Sequence, residues 1–408
     1  MSRYLINHAN IKEWAKNYNG ELFDGILCDP PYELGFMGKS WDSSGIAFDK
    51  EMWADIYKLL KPGAHLLAFS GSRTYHRMAV AIEDAGFEIR DMIEWVYGSG
   101  FPKSLNIGKA VDKIQGNERE VVGTEKIDIG MQGGSMHSGR SVNVVDRDVT
   151  KGTSPYEGYG TALKPAHEPC VLARKPLDGT VANNVLKHGT GGLNIDGTRI
   201  AATSEKNLKE IRSERPSKTS NASDYSLHHG GLEGMDRSDR QHVTGRFPAN
   251  LIHDGSDEVE AVFPNESSRF FYTAKASKSE RNAGLDNMPD MPMAMSNQAK
   301  AELKRGNTDF AGHKEGDWNG VKMLKNHHPT VKPLSLTKYL ATLIKPPTGG
   351  RLLVPFSGSG SEMIGALQAG WEYVEGVELT EEYIPIAEAR IKYWLSLREE
   401  ESKQLELV

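Results

Sequence analysis

The sequence predicts an α/β protein with one open, mostly parallel sheet and helices on both faces. Two observations lead to this prediction. Alternating strand-like and helix-like segments open the chain, and a second set of such segments closes it. Between the two sets lies a long polar stretch with weak periodicity. The simplest arrangement is therefore one sheet built from both ends of the chain around a dissimilar insert.

The first 110 residues carry three apolar, strand-like runs separated by two amphipathic helices. The first run, FDGILCDPP, ends at two prolines, as the end of a buried strand does. The first helix ends at Pro-Gly, and the second has Gly86 just after its last turn. In chain order we expect a strand over 23–31, a helix over 48–63, a strand over 64–71, a helix over 72–87 and a strand over 88–98.

The middle of the chain is less regular. Residues 115–160 are rich in Gly and Ser and predict a long mobile loop. HEPCVLARKPL (167–177) is strand-like again, and residues 178–325 form the polar insert. Within the insert, RFPANLIHD (246–254) and RFFYTAKAS (269–277) are strand-like, and 203–242 and 280–320 are expected to be partly disordered.

Regular alternation returns near the end of the chain. A strand runs into a Gly-rich turn, and an amphipathic helix is the last element. In chain order we expect a helix over 333–346, a strand over 350–360, a helix over 361–370, a strand over 371–379 and a helix over 380–397.

The composition excludes several classes of protein. Two cysteines among 408 residues cannot build a disulfide scaffold or a four-thiolate zinc site. No stretch approaches 18 apolar residues, so we expect a cytoplasmic protein without a membrane partner. The net charge of −6 gives no overall attraction to nucleic acid. Any DNA-binding surface must therefore arise from folding that gathers Lys and Arg on one face.

The tetrapeptide Asp29-Pro30-Pro31-Tyr32 follows the first buried strand, at the end where open α/β sheets bind ligands. Asp29 offers a carboxylate acceptor, the prolines present carbonyls without amide N–H groups, and Tyr32 offers an aromatic face. These groups suit a planar exocyclic amine. A common strand-ending turn is an equally open alternative for the tetrapeptide alone.

A second turn, PFSGSGSE (355–362), also joins a strand to a helix. Gly358 and Gly360 permit close approach of a ligand to the backbone, and the helix N-terminus favours negative groups. Glu378 ends the next strand, where an acidic side chain suits ribose hydroxyls. Together these features indicate an adenosine-bearing ligand, although Glu378 alone is also consistent with a solvated strand end. The turn matches neither a P-loop nor G-x-G-x-x-G.

Taken together, these motifs resemble those of the amino-group DNA methyltransferases. DPPY resembles their catalytic motif, PFSGSGSE and VEGVEL their cofactor motifs, and HPTVKP (328–333) their motif X. The order in this chain is that of the circularly permuted β-class. Further stretches resemble a phage and prophage branch of that class: GFMGKSWD (35–42), WVYGSGFPKSLN (95–106), LKPAHEPCVLARKPL (163–177), RFPANL (246–251) and SRFFYTAKAS (268–277).

The resemblance implies a Rossmann-like, S-adenosylmethionine-dependent methyltransferase fold with an inserted target recognition domain. Residues 1–177 would be the catalytic half of the core, 178–325 the partly disordered recognition domain, and 326–408 the cofactor-binding half. The implied catalytic residues are Asp29, Pro30, Pro31 and Tyr32. The implied cofactor-binding residues are Pro355, Phe356, Ser357, Gly358, Ser359, Gly360, Ser361, Glu378, His328, Thr330 and Lys332.

The implied reaction is transfer of a methyl group to the N6 amine of an adenine flipped out of double-stranded DNA. DPPY favours adenine, since the N4-cytosine enzymes more often begin this motif with Ser. N4-cytosine methylation and a catalytically silent DNA-binding relative remain alternatives, whereas the glycine spacing disfavours a Rossmann oxidoreductase. A homodimer and a cognate restriction enzyme also stay open, and no metal is expected.

Two departures from the family pattern stand out. Val354 replaces the usual acid before the Gly-rich turn, and we expect Val354→Asp to tighten cofactor binding. Asn7 and Asn10 stand where an acid often contacts the cofactor's adenine.

Further residues are candidates for contacts with DNA. Phe36, Met37 and Trp41 could line the base pocket or simply pack their loop. Lys39, Lys103, Arg140, Lys164 and Arg246 could contact phosphates or be ordinary solvated charges.

Overall fold

A nine-stranded sheet organises the chain. The structure is a computed structural model that describes residues 3–34, 40–100, 104–128, 144–202, 204–213, 244–274, 278–294 and 321–405. The strands are β1 (Tyr4–His8), β2 (Phe23–Cys28), β3 (Leu60–Phe69), β4 (Glu88–Val96), β5 (Glu120–Asp128), β6 (Val144–Lys151), β7 (His167–Arg174), β8 (Ile200–Ala201), β9 (Gly245–Arg246), β10 (Leu251–His253), β11 (Tyr272–Thr273), β12 (Met291–Ala294), β13 (Val321–Leu324), β14 (Arg351–Val354) and β15 (Tyr373–Glu378).

Helices cover the sheet and fill its connections. They are α1 (Ile11–Asn17), α2 (Lys50–Lys58), α3 (Tyr75–Asp84), α4 (Ile107–Gln115), α5 (Val181–His188), α6 (Glu205–Ser213), α7 (Asp257–Glu260), α8 (Lys278–Asn282), α9 (Leu334–Leu343), α10 (Ser361–Ala369) and α11 (Ile384–Leu405). Within the described ranges, no helix is both long and apolar enough to cross a membrane.

The strand order is β1-β15-β14-β2-β3-β7-β4-β10-β11. All neighbouring pairs are parallel except those of β7, which runs antiparallel to both β3 and β4. The predicted fold class is therefore confirmed, and the two ends of the chain meet at two strand pairs, β1 with β15 and β2 with β14. The insert also adds β10 and β11 to the edge of this sheet, which the sequence pattern did not predict.

The register of the sheet places three motifs at one edge. Leu353 of β14 pairs with Ile26 of β2, so the residues that follow these parallel strands emerge side by side. β15 is parallel to β14 and ends at Glu378 at the same edge. Because β7 is antiparallel, its first residues rather than its last lie there, with Glu168 opposite Trp95 of β4.

Two apolar clusters pack on opposite faces of the sheet, because successive strand residues point to opposite sides. Leu27 and Leu67 belong to the cluster that contains α9 and α10, whereas Ile26 and Leu66 belong to the cluster that contains α1, α2 and α3. The two free cysteines are both buried, Cys28 in the second cluster and Cys170 in the first.

The predicted loop over 115–160 is wrong for two stretches, because β5 and β6 form an antiparallel hairpin. Arg119 anchors its base, where the guanidinium contacts Asp112 and donates to Glu157 at 2.8 Å. Alternation within each strand was obscured by the Gly/Ser-rich run between them, which lies mostly outside the described residues. The predicted disorder over 203–242 and 280–320 also falls mainly outside them, although α6 and β12 form at its borders.

Element boundaries differ most at Pro62-Gly63, which predict the end of a helix. The helix predicted over 48–63 ends at Lys58, and β3 begins at Leu60 and carries Pro62 and Gly63 within it. Gly63 has a φ of +76°, and the β2–β3 register shifts beside it. A local irregularity at the start of the strand therefore accommodates the two residues.

Candidate active site

A cleft of about 1430 Å³ opens at the carboxyl edge of the sheet. Its walls are the residues after β2 and β14, the end of β15, the start of β7 and the first turn of α10. The cleft gathers residues that are hundreds of positions apart in the chain. Of the predicted site residues, those that line it are Asp29, Pro30, Pro31, Tyr32, His328, Thr330, Lys332, Pro355, Phe356, Ser357, Gly358, Ser359, Ser361 and Glu378.

Asp29 presents its two carboxylate oxygens differently. Oδ2 accepts a hydrogen bond of 2.8 Å from Nζ of Lys332. Oδ1 is buried and has no hydrogen-bond partner among the described residues. A buried carboxylate oxygen usually has a donor, because leaving it unpaired costs free energy. The cleft therefore contains a strong acceptor that a ligand could satisfy.

Lys332 lies at the centre of this part of the cleft, with a side chain only 6% exposed. Its Nζ also lies 2.9 Å from the hydroxyl of Tyr32 and 3.1 Å from Oε2 of Glu168. Burial lowers the pKa of Lys332, but the nearby carboxylates of Asp29 and Glu168 outweigh it, so the net shift is upward. The ammonium is therefore charged at neutral pH.

Tyr32 is fixed at both ends. Its hydroxyl donates to Oε2 of Glu168 at 2.9 Å, and its backbone carbonyl accepts from Oγ1 of Thr74 at 2.8 Å. Burial and the negative charge of Asp29 raise the pKa of Tyr32 well above its usual value, so the phenol keeps its proton. The ring is thus a fixed, neutral aromatic surface on the cleft wall.

The Gly-rich turn is tied to the end of β15. The backbone N–H of Gly358 donates to Oε2 of Glu378 at 2.7 Å, and that of Thr380 donates to Oε1 at 2.8 Å. Gly358 has a φ of +47°, and a Cβ there would lie 2.8 Å from Nε2 of His328. Only glycine fits this position without displacing His328. Burial raises the pKa of Glu378.

The three serines of the turn differ in their contacts. Nη1 of the fully buried Arg390 donates to Oγ of Ser359 at 3.0 Å and to Oγ of Ser361 at 3.2 Å. Oγ of Ser357 is buried and has no hydrogen-bond partner within the described part of the chain. Ser357 is therefore the serine whose hydroxyl remains open to a ligand. Gly360, with a φ of +82°, precedes α10 and packs against Ala387 rather than lining the cleft.

The predicted motif X residues His328, Thr330 and Lys332 also line the cleft, and His328 lies beside the Gly358 turn. Nδ1 of His328 contacts the carbonyl of Thr330, and the His328 ring packs edge-on against Tyr383 with ring centroids 4.5 Å apart. Burial lowers the pKa of His328 to about 4. The imidazole is therefore neutral at pH 7 and serves as a wall of the Gly358 turn.

Sequence reasoning missed two acidic residues of the cleft. Glu168 begins β7 and contacts both Lys332 and Tyr32. Glu362 is 4% exposed in the first turn of α10, and burial followed by the charge of Asp29 raises its pKa to about 7. Glu362 was visible as the last letter of PFSGSGSE. Glu168 lies in LKPAHEPCVLARKPL (163–177), which resembles the family, but nothing in that stretch indicated that Glu168 itself belongs to the site.

The other candidate residues fall in different places. Asn7 donates to Glu375 at 3.1 Å and does not line the cleft, whereas Asn10 lines it but caps α1. Lys164 lines the cleft, and the guanidinium of Arg246 lies over the ring of Phe270 at 4.3 Å. Phe36, Met37, Lys39, Lys103 and Arg140 lie outside the described residues, as does the side chain of Trp41.

Val354 faces the apolar core rather than the cleft. It is fully buried in the cluster that contains Leu352 and Met363. We therefore expect Val354→Asp to place an unpaired carboxylate in the core and to lower the free energy of unfolding by about 3 kcal/mol or more. Chemical denaturation of the variant against Val354→Ala would check this. Wild-type stability together with tighter cofactor binding would restore the expectation drawn from the sequence.

Comparisons with known proteins agree on one family. The model of a family described as DNA methylase matches residues 23–389. The Type II methyltransferase M.HindIII of Haemophilus influenzae is 24% identical over 148 residues, which cover 35% of this chain and 37% of that protein. The putative methylase YubD of Escherichia coli is 40% identical over 65 residues, or 16% and 28% of the two chains. The chain thus matches only about a third of these relatives' length.

Solved structures are similar over nearly the whole chain at low identity. The crystal structure of an M1.HpyAVI–SAM complex is 14% identical, with a TM-score of 0.39. The alignment covers 95% of this chain and 99% of that one.

Proposed function

This chain belongs to the N6/N4 family of DNA methylases, and from that premise we propose that it methylates the N6 amine of adenine in double-stranded DNA. The methyl donor is S-adenosylmethionine. The observation that carries the proposal is the buried, unpartnered Oδ1 of Asp29 in a cleft that also contains the Gly358 turn and Glu378. The acceptor for an amine and the features suited to a nucleoside thus lie in one cavity.

The amine site is built from acceptors. An exocyclic amine has hydrogens to donate and a lone pair delocalised into its ring. Oδ1 of Asp29 and the carbonyl of Pro30 can accept those hydrogens, which favours a more pyramidal and more nucleophilic nitrogen. Tyr32 offers the flipped base a stacking surface, a contact worth about 1–3 kcal/mol. Asp29 Oδ1 is also positioned to accept the proton that the nitrogen must lose.

The cofactor site fits an adenosine-bearing group on the chemistry of its own residues. Both oxygens of Glu378 hold backbone N–H groups, yet a carboxylate has further lone pairs for ribose hydroxyls. The buried Ser357 hydroxyl lacks a partner within the described ranges, and the bare Gly358 backbone admits a close ligand. When bound, S-adenosylmethionine supplies an electrophilic methyl group on its sulfonium. We assign Phe356, Ser357, Gly358 and Glu378 to holding it.

Lys332 belongs, in this proposal, to the amine site rather than to the cofactor site. The three oxygens that its Nζ contacts belong to Asp29, Tyr32 and Glu168. The role assigned to it from the motif X resemblance is therefore changed here. Holding Asp29 by one oxygen orients the other and balances the negative charge of the site.

The DNA must deliver the base to this cleft. A base within a duplex cannot reach it, so the target nucleotide must leave the stack, at a cost of roughly a few kcal/mol. Arg73 and Lys164 are exposed at the cleft and are our choice for phosphate contacts. We propose that residues 178–325 supply target recognition in addition to β10 and β11 of the sheet, and that residues 1–177 and 326–408 form the rest of the methyltransferase core.

The base identity is tested directly by product analysis. Purified protein is incubated with tritiated S-adenosylmethionine and unmethylated genomic DNA, and the DNA is digested to nucleosides. We expect label in N6-methyladenine, since Asp rather than Ser begins the DPPY motif. Label in N4-methylcytosine would keep the site and overturn the base. DNA without label, although the cofactor binds, would favour the silent relative.

Loss of the carboxylate at the end of β15 should weaken cofactor binding. We expect Glu378→Ala to raise the Kd for S-adenosylmethionine at least about 10-fold, since it removes a charged acceptor and frees the Gly358 turn. Titration calorimetry would measure the change. Glu372→Ala, an exposed carboxylate just before the same strand, is the matched control. Equal Kd values for the two variants would remove Glu378 from the cofactor site.

A further inference from the structure

We propose that Glu168 is a positioning residue that keeps Oδ1 of Asp29 open to the amine, acting through Lys332 and Tyr32. The inference rests on the proposed function, because it concerns the same amine site. Glu168 belongs to none of the cofactor or catalytic motifs. Because β7 runs antiparallel to β3 and β4, its first residues lie at the carboxyl edge of the sheet, where the Glu168 carboxylate contacts Tyr32 just after β2.

The number of hydrogen-bond donors on Lys332 limits what Asp29 can receive. A lysine ammonium has three N–H groups. Nζ of Lys332 has three oxygens around it, namely Oδ2 of Asp29 at 2.8 Å, the hydroxyl of Tyr32 at 2.9 Å and Oε2 of Glu168 at 3.1 Å. No donor is left over for Oδ1 of Asp29. That oxygen accordingly lacks a partner among the described residues.

The hydroxyl of Tyr32 likewise has no hydrogen left to donate to Asp29. It has one hydrogen, and Glu168 accepts it at 2.9 Å. The same hydroxyl then presents a lone pair, and not its hydrogen, to Lys332 at 2.9 Å. Without Glu168, the hydroxyl hydrogen would turn to Asp29, the other carboxylate whose charge acts on Tyr32. Glu168 therefore prevents both Lys332 and Tyr32 from donating to Asp29 Oδ1.

Glu168 also changes the charge balance around the ammonium. Asp29, Glu168 and Glu362 surround one ammonium, and Glu362 is the carboxyl whose pKa rises to about 7. The ammonium is shared between two carboxylates rather than committed to Asp29. A Lys332 held only by Asp29 would form a tighter pair and would reduce the ability of Asp29 to accept from an amine. Glu168 thus tunes the acceptor as well as orienting it.

The test is a single-turnover measurement in which excess enzyme bound to DNA is mixed with saturating S-adenosylmethionine. We expect Glu168→Gln, which keeps the shape but loses the charge, to slow methyl transfer about 10-fold, and Glu168→Ala about 100-fold. The Kd for the cofactor should stay within about twofold of wild type, because Glu168 contacts the amine site alone. Glu83→Gln, an exposed carboxylate on α3, is the control.

A double-mutant cycle separates positioning from general loss of structure. Because Glu168 acts in part through the Tyr32 hydroxyl, Tyr32→Phe should cost much less in a Glu168→Gln background than in wild type. Additive effects would overturn the inference, as would a Glu168→Gln rate within about twofold of wild type or a parallel loss of cofactor affinity. Should Glu168→Ala unfold, the Gln variant decides. A wild-type protein that methylates no DNA would instead overturn the proposed function.

Discussion

Asp29→Ala should lower the rate of methyl transfer by about 10³-fold, with cofactor affinity close to that of wild type. Among the described residues of the cleft, Asp29 has the only carboxylate oxygen that is buried and lacks a hydrogen-bond partner, and the variant removes it. The amine then loses the acceptor that makes its nitrogen nucleophilic. The cofactor site should stay intact, because the hydrogen bonds that hold Glu378 come from the backbone of Gly358 and Thr380 and do not involve Asp29. Single-turnover assays and calorimetry on the same preparation would measure both quantities.

Two further variants sharpen this test. Asp29→Asn keeps the shape of the side chain but removes its charge, so it should also lose most of the activity. Asp84→Ala removes an exposed carboxylate at the end of α3 and should behave as wild type. An Asp29→Ala protein that transfers methyl groups at nearly the wild-type rate would show that the amine is held elsewhere. A folded variant that no longer binds cofactor would show that the two subsites are not separate.

The sequence predicted the part of the site that follows from parallel strands. Asp29 and Pro355 each come directly after a buried strand, and Glu378 ends one. Because parallel strands end at a common edge, the proximity of these residues could be expected from the strand pattern alone. The register of β14 against β2 confirms that expectation. These motifs were recognisable because each is short, local and rich in Pro or Gly.

The remaining parts depend on long-range pairing that local patterns do not encode. β7 alternates no differently from a parallel strand, so nothing in its letters showed that its beginning, and hence Glu168, would lie at the cleft. β10 and β11 are only three and two residues long, too short to reveal membership of the main sheet. Lys332 was predicted only as part of HPTVKP (328–333), and as a cofactor-binding residue. Its contacts with Asp29, 303 positions away, and with Glu168 appear only once distant parts of the chain are brought together.

Lys332→Met should slow catalysis nearly as much as Asp29→Ala does. It should also lower stability more than any other substitution at the amine site. Methionine fills the buried volume but carries no charge, so Asp29 and Glu168 lose their shared counter-ion. Removing one partner of a buried ion pair costs about 3–5 kcal/mol. We expect the free energy of unfolding to fall by about that amount, and methyl transfer to slow by about 100-fold or more because Asp29 Oδ2 is no longer held. Lys338→Met, on the exposed side of α9, is the control.

The stability loss should depend on pH in a direction that identifies its cause. Burial and Asp29 already raise the pKa of Glu362 to about 7 in the folded protein, so its protonated form is favoured by folding. The stability from that protonation is fully present below the unfolded pKa of about 4.3 and is lost as pH rises through about 7. The charge of Lys332 opposes that rise in the pKa of Glu362, so without Lys332 the cost of ionising Glu362 increases. The difference in unfolding free energy between Lys332→Met and wild type should therefore be smaller at pH 5 than at pH 8. A difference that does not change with pH would mean that Lys332 stabilises the fold by packing rather than by its charge.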